Sequence, residues 1–381
     1  MFDKEKKLHK FPCFVDTHMH LISLGIKLLT HDLEKEDLKE LLEKEKELLF
    51  ARGWEDMPPL DLINSYSYPV VLIRKCGHIA IVNDHTKKKL KLKDNIIYES
   101  DMEKLYEVFD LSFYKKALKV AEKEMLKVGV SYIHTDDLHG ITYDELVSVL
   151  KDAKIRIYEK LAVKDPKKEM FEKISDRVTV GAIKLFADGS IGARTAYVKK
   201  PYKDTGKKGM FLLKENEIEK IFEFGKENGV EVCVHIIGDR AMEIMADYFE
   251  RYPGNRVIHA QLVPKEVLPK LKKTHFSIQP HFYIEDKESG LLDIIDTDSM
   301  VYPFLELYKM GYDISLSTDA PVSPHDPRYV IEKAMMMGFS RQDAIKLYTK
   351  GSQDFCYYEK EDILQNYPVA IEFSDGEFFE L

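Results

Sequence analysis

The sequence has few cysteines, no long apolar run and no excess of positive charge. Its four cysteines, Cys13, Cys76, Cys233 and Cys356, are far apart and form no Cys-x-x-Cys pair, so neither a zinc ribbon nor a disulfide framework is indicated. The net charge of −9 argues against nucleic acid as a main partner. No segment approaches the roughly 18 apolar residues that span a membrane, and the charged start is unlike a signal peptide. We therefore expect a cytoplasmic protein with no membrane partner.

The sequence does contain alternating strand and helix patterns. Its 381 residues, 44% of them hydrophobic, suffice for one barrel-sized domain with insertions or for two ordinary domains. Nine β-branched or apolar runs are separated by stretches with helical spacing, one of which should end at Gly229. This alternation predicts a parallel sheet, either doubly wound or closed as a (β/α)8 barrel. The predicted strands are CFVDTH (13–18), VVLIRKC (70–76), VGVSYIHT (128–135), KIRIYEKLA (154–162), VTVGAIKLF (178–186), VEVCVHII (230–237), NRVIHAQ (255–261), HFSIQP (275–280) and YDISLST (312–318).

The interval after the first predicted strand is too long for one barrel unit. About 110 residues separate the first run from the run at 128–135, whereas a βα unit takes about 30. We therefore predict an insertion at about 21–120 that includes the run at 70–76, which leaves eight strands for a barrel over residues 12–352. Residues 1–11 and 353–381 are predicted to form a small or vestigial β-subdomain, with a hairpin at Asp375-Gly376.

Residues that can bind metal follow several predicted strands. His18 and His20 end the first strand and share a face, because side chains along a strand repeat every two residues. The carboxyl ends of parallel strands build the active sites of α/β proteins. Taken singly, these residues have other interpretations, since thirteen histidines make a chance His-x-His pair common and a lone buried histidine often belongs to the core. Aspartate can likewise cap a turn before proline. The other strand-end residues are Lys184, His235, His259 and Asp319.

Lys184 raises a separate question about charge. A lysine among apolar residues is costly unless it is paired or modified. Its ammonium cannot bind a cation, so a role as a ligand would require carboxylation by carbon dioxide to a carbamate with two oxygens. The alternative is an ion pair with Asp188 or with an acid in a neighbouring loop.

In order and spacing, these residues resemble the amidohydrolase superfamily of metal-dependent hydrolases. The long segments DRVTVGAIKLFADGSIGARTAY, VHIIGDRAM, VIHAQLV, SIQPHF and LSTDAPVSPHDP narrow the resemblance to amidohydrolase family 3. This branch is typified by YtcJ and AepA-like proteins and by N-substituted formamide deformylases. The resemblance covers roughly residues 12–352. The chain departs from this branch at its ends, because relatives usually carry longer terminal segments that form a β-sandwich.

The resemblance implies a role for each matching position. His18, His20, His235 and His259 would bind two divalent metal ions, zinc in the first instance, with His18 and His20 on the more buried ion. Lys184 would be the carboxylated bridge between the ions. Asp319 would be both a ligand and the catalytic proton shuttle. A hydroxide bridging the ions would then hydrolyse the C–N bond of an amide or formamide-like small molecule.

Substrate contacts and competing functions remain open at this stage. Arg194 could bind a carboxylate or carbonyl oxygen of the substrate or could form a structural salt bridge, and His78 and His281 are further candidates for substrate contact. The same metal site could act on a lactone, a cyclic imide, a phosphotriester or a ring amidine, because one constellation serves many substrates. A non-catalytic regulator is a third hypothesis, although it predicts lost ligands and none is lost. Association into a homo-oligomer is also left open.

Overall fold

The computed structural model describes residues 2–3, 8–11, 13–74, 79–138, 140–349 and 369–370. Short β-branched segments form the strands, as their composition predicts. In chain order the strands are β1 (Phe2–Asp3), β2 (Leu8–Phe11), β3 (Phe14–Met19), β4 (His31–Asp32), β5 (Leu49–Trp54), β6 (Val70–Arg74), β7 (Ile79–Val82), β8 (Ile96–Tyr98), β9 (Val130–Thr135), β10 (Arg156–Leu161), β11 (Val178–Phe186), β12 (Glu231–Ile236), β13 (Arg256–His259), β14 (Leu262–Val263), β15 (His275–Ile278), β16 (Met300–Val301), β17 (Asp313–Leu316) and β18 (Val369–Ala370).

Helices follow most of the barrel strands. Gly229 adopts the left-handed conformation, with φ of 66°, and ends α7 where the sequence predicts it. Short 3-10 helices lie at Glu99–Val108, Lys168–Met170, Lys265–Leu271 and Leu291–Ile294. Within the described ranges, none of the helices has both the length and the apolar character needed to cross a membrane. The α-helices are α1 (Leu21–Leu29), α2 (Leu38–Lys44), α3 (Leu60–Asn64), α4 (Asp84–Lys89), α5 (Leu111–Lys127), α6 (Tyr143–Leu150), α7 (Glu215–Asn228), α8 (Asp239–Arg251), α9 (Pro280–Glu288), α10 (Phe304–Lys309), α11 (Pro327–Met336) and α12 (Arg341–Leu347).

Eight parallel strands form the central sheet, and their spatial order follows the chain: β3, β9, β10, β11, β12, β13, β15 and β17. Contacts between the first and the last of these strands close the sheet. The Thr17 hydroxyl lies 2.7 Å from that of Ser315, and the backbone N–H of Asp319 donates to the carbonyl of His18 at 2.9 Å. This architecture is a (β/α)8 TIM barrel, so the predicted fold class is confirmed.

Apolar side chains and one buried ion pair fill the barrel interior below the rim. The Nε and Nη2 atoms of Arg256 each donate to Glu231 at 2.9 Å, and both side chains are almost fully buried. The Nη1 atom of Arg256 reaches the carbonyl of Thr17 and Nδ1 of His134. Every guanidinium nitrogen therefore has a partner, as a buried charge requires. The apolar cluster consists of Cys13, Val15, Tyr132, Tyr158, Ala182, Cys233 and Ile258.

The chain forms two compact units. One unit comprises residues 1–20, 123–136 and 153–381, and contains all eight barrel strands. The other comprises residues 21–122 and 137–152, and contains the five-stranded sheet β4–β8. The run at 70–76 thus contributes β6 to this second sheet and adds no barrel strand. The second unit has its own core, made of Leu41, Leu42, Leu49, Ala51, Trp54, Ile63, Tyr68, Val70, Leu72 and Ile81.

Segments from the two ends of the chain form a small sheet. Strand β2 pairs antiparallel with both β1 and β18, so residues near position 10 lie beside residues 369–370. The hairpin predicted at Asp375-Gly376 lies outside the described residues. The division into a barrel over 12–352 and a terminal β-subdomain stays a prediction.

Candidate metal centre

An irregular end of β3 places His18 and His20 at the carboxyl rim of the barrel. The pairing of β3 with β9 shifts register between Asp16 and Met19, and such a bulge turns side chains in a new direction. The buried carboxylate of Asp16 accepts from the backbone N–H of His18 and from the hydroxyl of Thr318. Hydrogen bonds of Asp16 therefore join the ends of the first and last barrel strands next to the predicted ligands.

His18, His20 and Asp319 form a compact group of ligand atoms. The Nε2 atoms of His18 and His20 lie 3.2 and 3.3 Å from Oδ1 of Asp319. One potential ligand atom from each residue lies within 4.8 Å of the other two. Burial alone would raise the pKa of Asp319, but the two imidazoles hold it well below its ordinary value. Asp319 is therefore an ionised carboxylate aimed at two imidazole nitrogens.

The backbone at His259, Ala260 and Asp319 adopts an uncommon conformation. His259 has φ of 78°, Ala260 of 50° and Asp319 of 56°, in the left-handed region that residues other than glycine seldom adopt. Such conformations persist where the surrounding structure enforces them, and they cluster at functional sites. Here they turn His259 and Asp319 away from the regular directions of their strands.

His235 and His259 form the other half of the site. Their ring centroids lie 4.5 Å apart, and the ring of His259 lies 5.5 Å from that of His18. The Nε2 atom of His235 donates to the carbonyl of Gly189 at 2.9 Å, whereas Nδ1 of His259 donates to Oε1 of Gln279 at 2.9 Å. We infer from these partners that Nδ1 of His235 and Nε2 of His259 carry the lone pairs available to a metal ion.

Asp136 is the partner of Lys184. Its Oδ2 atom lies 2.9 Å from Nζ of Lys184, and its Oδ1 atom lies 2.6 Å from Nδ1 of His20. Each carboxylate oxygen therefore has a basic partner, and both Asp136 and Lys184 are 1% exposed. Burial opposes the charge of Asp136, but His20 and Lys184 lower its pKa well below the ordinary value. The ion pair that the sequence analysis considered for Lys184 is present, with Asp136 in place of Asp188.

Asp188 forms hydrogen bonds to the backbone instead of pairing with Lys184. Its carboxylate accepts from the backbone N–H groups of Ile237, Gly238 and Tyr197 at 2.7–3.0 Å. These bonds join the segment after β11 to the segment after β12. A Cβ atom at Gly238 would lie 2.1 Å from the carbonyl oxygen of Tyr197, so this approach requires glycine. The carbonyl that orients His235 belongs to Gly189, the next residue in this tied segment.

The structure describes two of the three residues that are predicted to contact the substrate. Arg194 donates through Nε and Nη2 to Asp204 at 2.9 and 2.7 Å, which is the salt bridge considered as its alternative role. His281, at the start of α9, is fully buried, and burial is the main reason that its pKa falls to about 4, against the opposing effect of Asp319. His78 lies outside the described residues. Roles in substrate binding stay predictions for all three.

Three residues that the sequence analysis did not select contribute to this region. Asp136 directly follows β9, so the strand-end rule that identified Asp319 could have identified it too. Lys160 lies in β10 between Glu159 and Leu161, so it lacks the wholly apolar neighbours that drew attention to Lys184. Gln279 follows β15, but no pattern distinguishes it from a loop glutamine. Its role becomes visible only through its bond to His259.

The arrangement of donors fits divalent metal ions. Nδ1 of His18 is buried and makes no hydrogen bond with any described residue, and the buried Oδ1 of Asp319 lies close to two imidazole nitrogens. Imidazole together with carboxylate is a ligand set typical of zinc. His18, His20 and Asp319 suit one ion, and His235 and His259 offer two nitrogens for another. Lys184 could contribute only after losing its positive charge.

The barrel and its rim have the layout of a metal-dependent hydrolase, and comparison with known proteins supports this class. The model of the amidohydrolase family matches residues 9–362, so the chain belongs to the amidohydrolase family. It is 28% identical to the putative amidohydrolase YtcJ of Bacillus subtilis, an alignment that covers 92% of this chain and 80% of YtcJ.

Two solved structures show the same fold. They are uncharacterized metal-dependent hydrolases from Pyrococcus furiosus and Pyrococcus horikoshii, with 26% and 27% identity and TM-scores of 0.81 and 0.80. Each alignment covers 92% of this chain and 83% or 82% of the other. The protein is therefore a metal-dependent hydrolase of the amidohydrolase family.

Proposed function

We propose that this protein hydrolyses the C–N bond of an amide or formamide-like small molecule at a centre of two divalent metal ions, zinc in the first instance. The observation that carries the proposal is the ionised carboxylate of Asp319, which lies 3.2–3.3 Å from imidazole nitrogens of His18 and His20. One carboxylate in this position can bind a metal ion and exchange a proton with the reactants.

The ligands divide between two positions. His18, His20 and Asp319 would hold the first ion, and His235 and His259 would hold the second. A carbamate formed on Lys184 would bridge the two ions. This modification is chemically necessary for such a bridge, because the ammonium of Lys184 repels cations. Bound at these positions, divalent ions would lower the pKa of a water molecule and polarise the carbonyl of the substrate.

Asp319 would carry out the proton transfers of the reaction. Its lowered pKa keeps it ionised at neutral pH, so it can accept a proton from the attacking water. It can then donate this proton to the departing nitrogen, provided that one carboxylate oxygen reaches both groups. A departing amine requires such a proton, which is why a shuttle of this kind favours C–N bonds. The similarity to YtcJ, a putative amidohydrolase, supports the same choice.

Replacing Asp319 with asparagine tests the proposal. With zinc at saturation, Asp319→Asn should keep its metal content but lose turnover by about 10²–10⁴-fold, the usual contribution of a positioned acid or base. Asp326→Asn is a matched control, because Asp326 caps the N-terminus of α11 and asparagine is an equally good cap. Normal turnover by Asp319→Asn would refute the mechanism.

A substrate panel tests the choice of bond. The zinc-loaded protein should hydrolyse formamides or other simple amides faster than lactones, phosphotriesters or ring amidines of similar size. The control is the same panel with Asp319→Asn, because any activity that remains in this variant measures the contribution of contaminating enzymes. Hydrolysis of esters alone would rule out the C–N assignment.

A further inference from the structure

A second buried lysine, Lys160, lies in the strand beside Lys184. Lys160 of β10 pairs with Ala182 of β11, and Ala182 belongs to the apolar cluster inside the barrel. Tyr158, two residues before Lys160, belongs to the same cluster. Because side chains alternate along a strand, Lys160 and Lys184 both face the interior, with Lys184 one step closer to the rim.

The ammonium of Lys160 has no direct partner. Lys160 is 0% exposed, and its Nζ makes no hydrogen bond to any residue in the part of the chain that the structure describes. Burial lowers the pKa of Lys160, and the carboxylate of Asp136 opposes this effect without a hydrogen bond to Nζ. Both oxygens of Asp136 are already engaged, one with Lys184 and the other with His20.

Lys160 therefore lacks a close counter-charge, because the carboxylate of Asp136 is shared between Lys184 and His20. A buried charge without a close partner is unfavourable. An anionic group in place of the Lys184 ammonium would supply this partner.

We propose that Lys160 is a positioning residue that supplies the fixed positive charge opposite a carbamate on Lys184, an inference that rests on the proposed function. The ammonium of Lys184 first releases one proton to solvent, and the resulting neutral amine forms an N–C bond to carbon dioxide. An electron pair of one C=O bond moves to its oxygen, and a second proton leaves the nitrogen to solvent. Lys184 thereby changes from cationic to anionic, and the unpartnered ammonium of Lys160 gains an anionic neighbour.

The bicarbonate dependence of carbamate formation tests the inference. Zinc-loaded protein is equilibrated with ¹³C-bicarbonate, and the carbamate carbon is quantified by NMR together with zinc per chain. Lys160→Met should need at least tenfold more bicarbonate than the wild type for half-maximal labelling, and should bind less zinc at ambient carbon dioxide. Lys160→Arg keeps the charge and should label normally. Lys154→Met, at an exposed lysine just before the same strand, is the control.

The possible outcomes separate this inference from the proposed function. If the wild type is labelled and Lys160→Met is labelled equally at the same bicarbonate concentration, the inference is wrong and the bridging carbamate survives. If the wild type binds zinc but carries no label, both the carbamate and the role of Lys160 are wrong. If Lys160→Met does not fold, the polar but uncharged Lys160→Gln replaces it, with Lys160→Arg as its charged counterpart.

Discussion

Asp136 should control how tightly the metal binds, although it is not one of the predicted ligands. Its Oδ1 atom lies 2.6 Å from Nδ1 of His20, which leaves Nε2 of His20 to face Asp319 at 3.3 Å. Carboxylates that accept from a ligating histidine fix the direction and the basicity of its ring, and their loss typically costs 10–100-fold in metal affinity. Asp136→Asn keeps an oxygen at this position but removes the charge, so we expect zinc affinity to fall by about 10–100-fold, or about 1.4–2.8 kcal/mol.

Competition with a chromophoric chelator measures this loss on metal-free protein. Asp137→Asn is a matched control, because Asp137 is also buried and directly follows Asp136, but its carboxylate accepts from the backbone N–H of Ile22. A zinc affinity within twofold of the wild type in Asp136→Asn would refute the reasoning. An equal loss in Asp137→Asn would also refute it, since that loss would reflect general disturbance of this segment.

Three further predictions follow from the site and the barrel interior. His18→Ala should reduce bound zinc from two ions per chain to one and abolish turnover, which elemental analysis and an activity assay would check. Glu231→Gln leaves the Arg256 guanidinium without its anion and should lower the free energy of unfolding by about 3–5 kcal/mol; an unchanged denaturant midpoint would contradict this. Removing zinc with a chelator should lower Tm, because metal at 100 times Kd stabilises the native state by about 2.7 kcal/mol.

The barrel could be predicted because its strands are short, β-branched and regularly separated. The run at 178–186 coincides with β11, and the other seven barrel runs each match the observed strand to within two residues at either end. The run at 70–76 shows the limit of this approach, because its composition matches that of a barrel strand. Only the long interval between the runs at 13–18 and 128–135 placed it in an insertion, and in the structure it contributes β6 to the five-stranded sheet.

The strand-end rule selected residues that the fold brings together, but it did not predict the contacts between them. His18, His235, His259 and Asp319 could be selected because each residue ends or follows a predicted strand. The partner of Lys184 was not predictable in this way, because Asp136 and Asp188 both follow strands and only the three-dimensional arrangement decides between them. Asp188 caps three backbone N–H groups, whereas Asp136 reaches the lysine.

Ligand direction also depends on features that the sequence does not reveal. The bulge in β3 and the positive φ values of His259 and Asp319 turn these side chains out of the simple alternation of a strand. The Thr17 hydroxyl contacts Ser315 of the last barrel strand. Strict alternation would therefore point the next side chain, His18, to the opposite face of the strand. Strain of this kind is maintained by tertiary contacts, so it has no local sequence signal.

Anomalous X-ray diffraction at the zinc edge, from crystals of protein purified without chelator, tests the central claim most directly. We predict two zinc peaks at the rim of the barrel, one within about 2.0–2.2 Å of ligand atoms of His18, His20 and Asp319, and one at similar distances from His235 and His259. Additional density should extend Nζ of Lys184 between the two peaks. Zinc peaks at positions away from these five side chains would contradict the account.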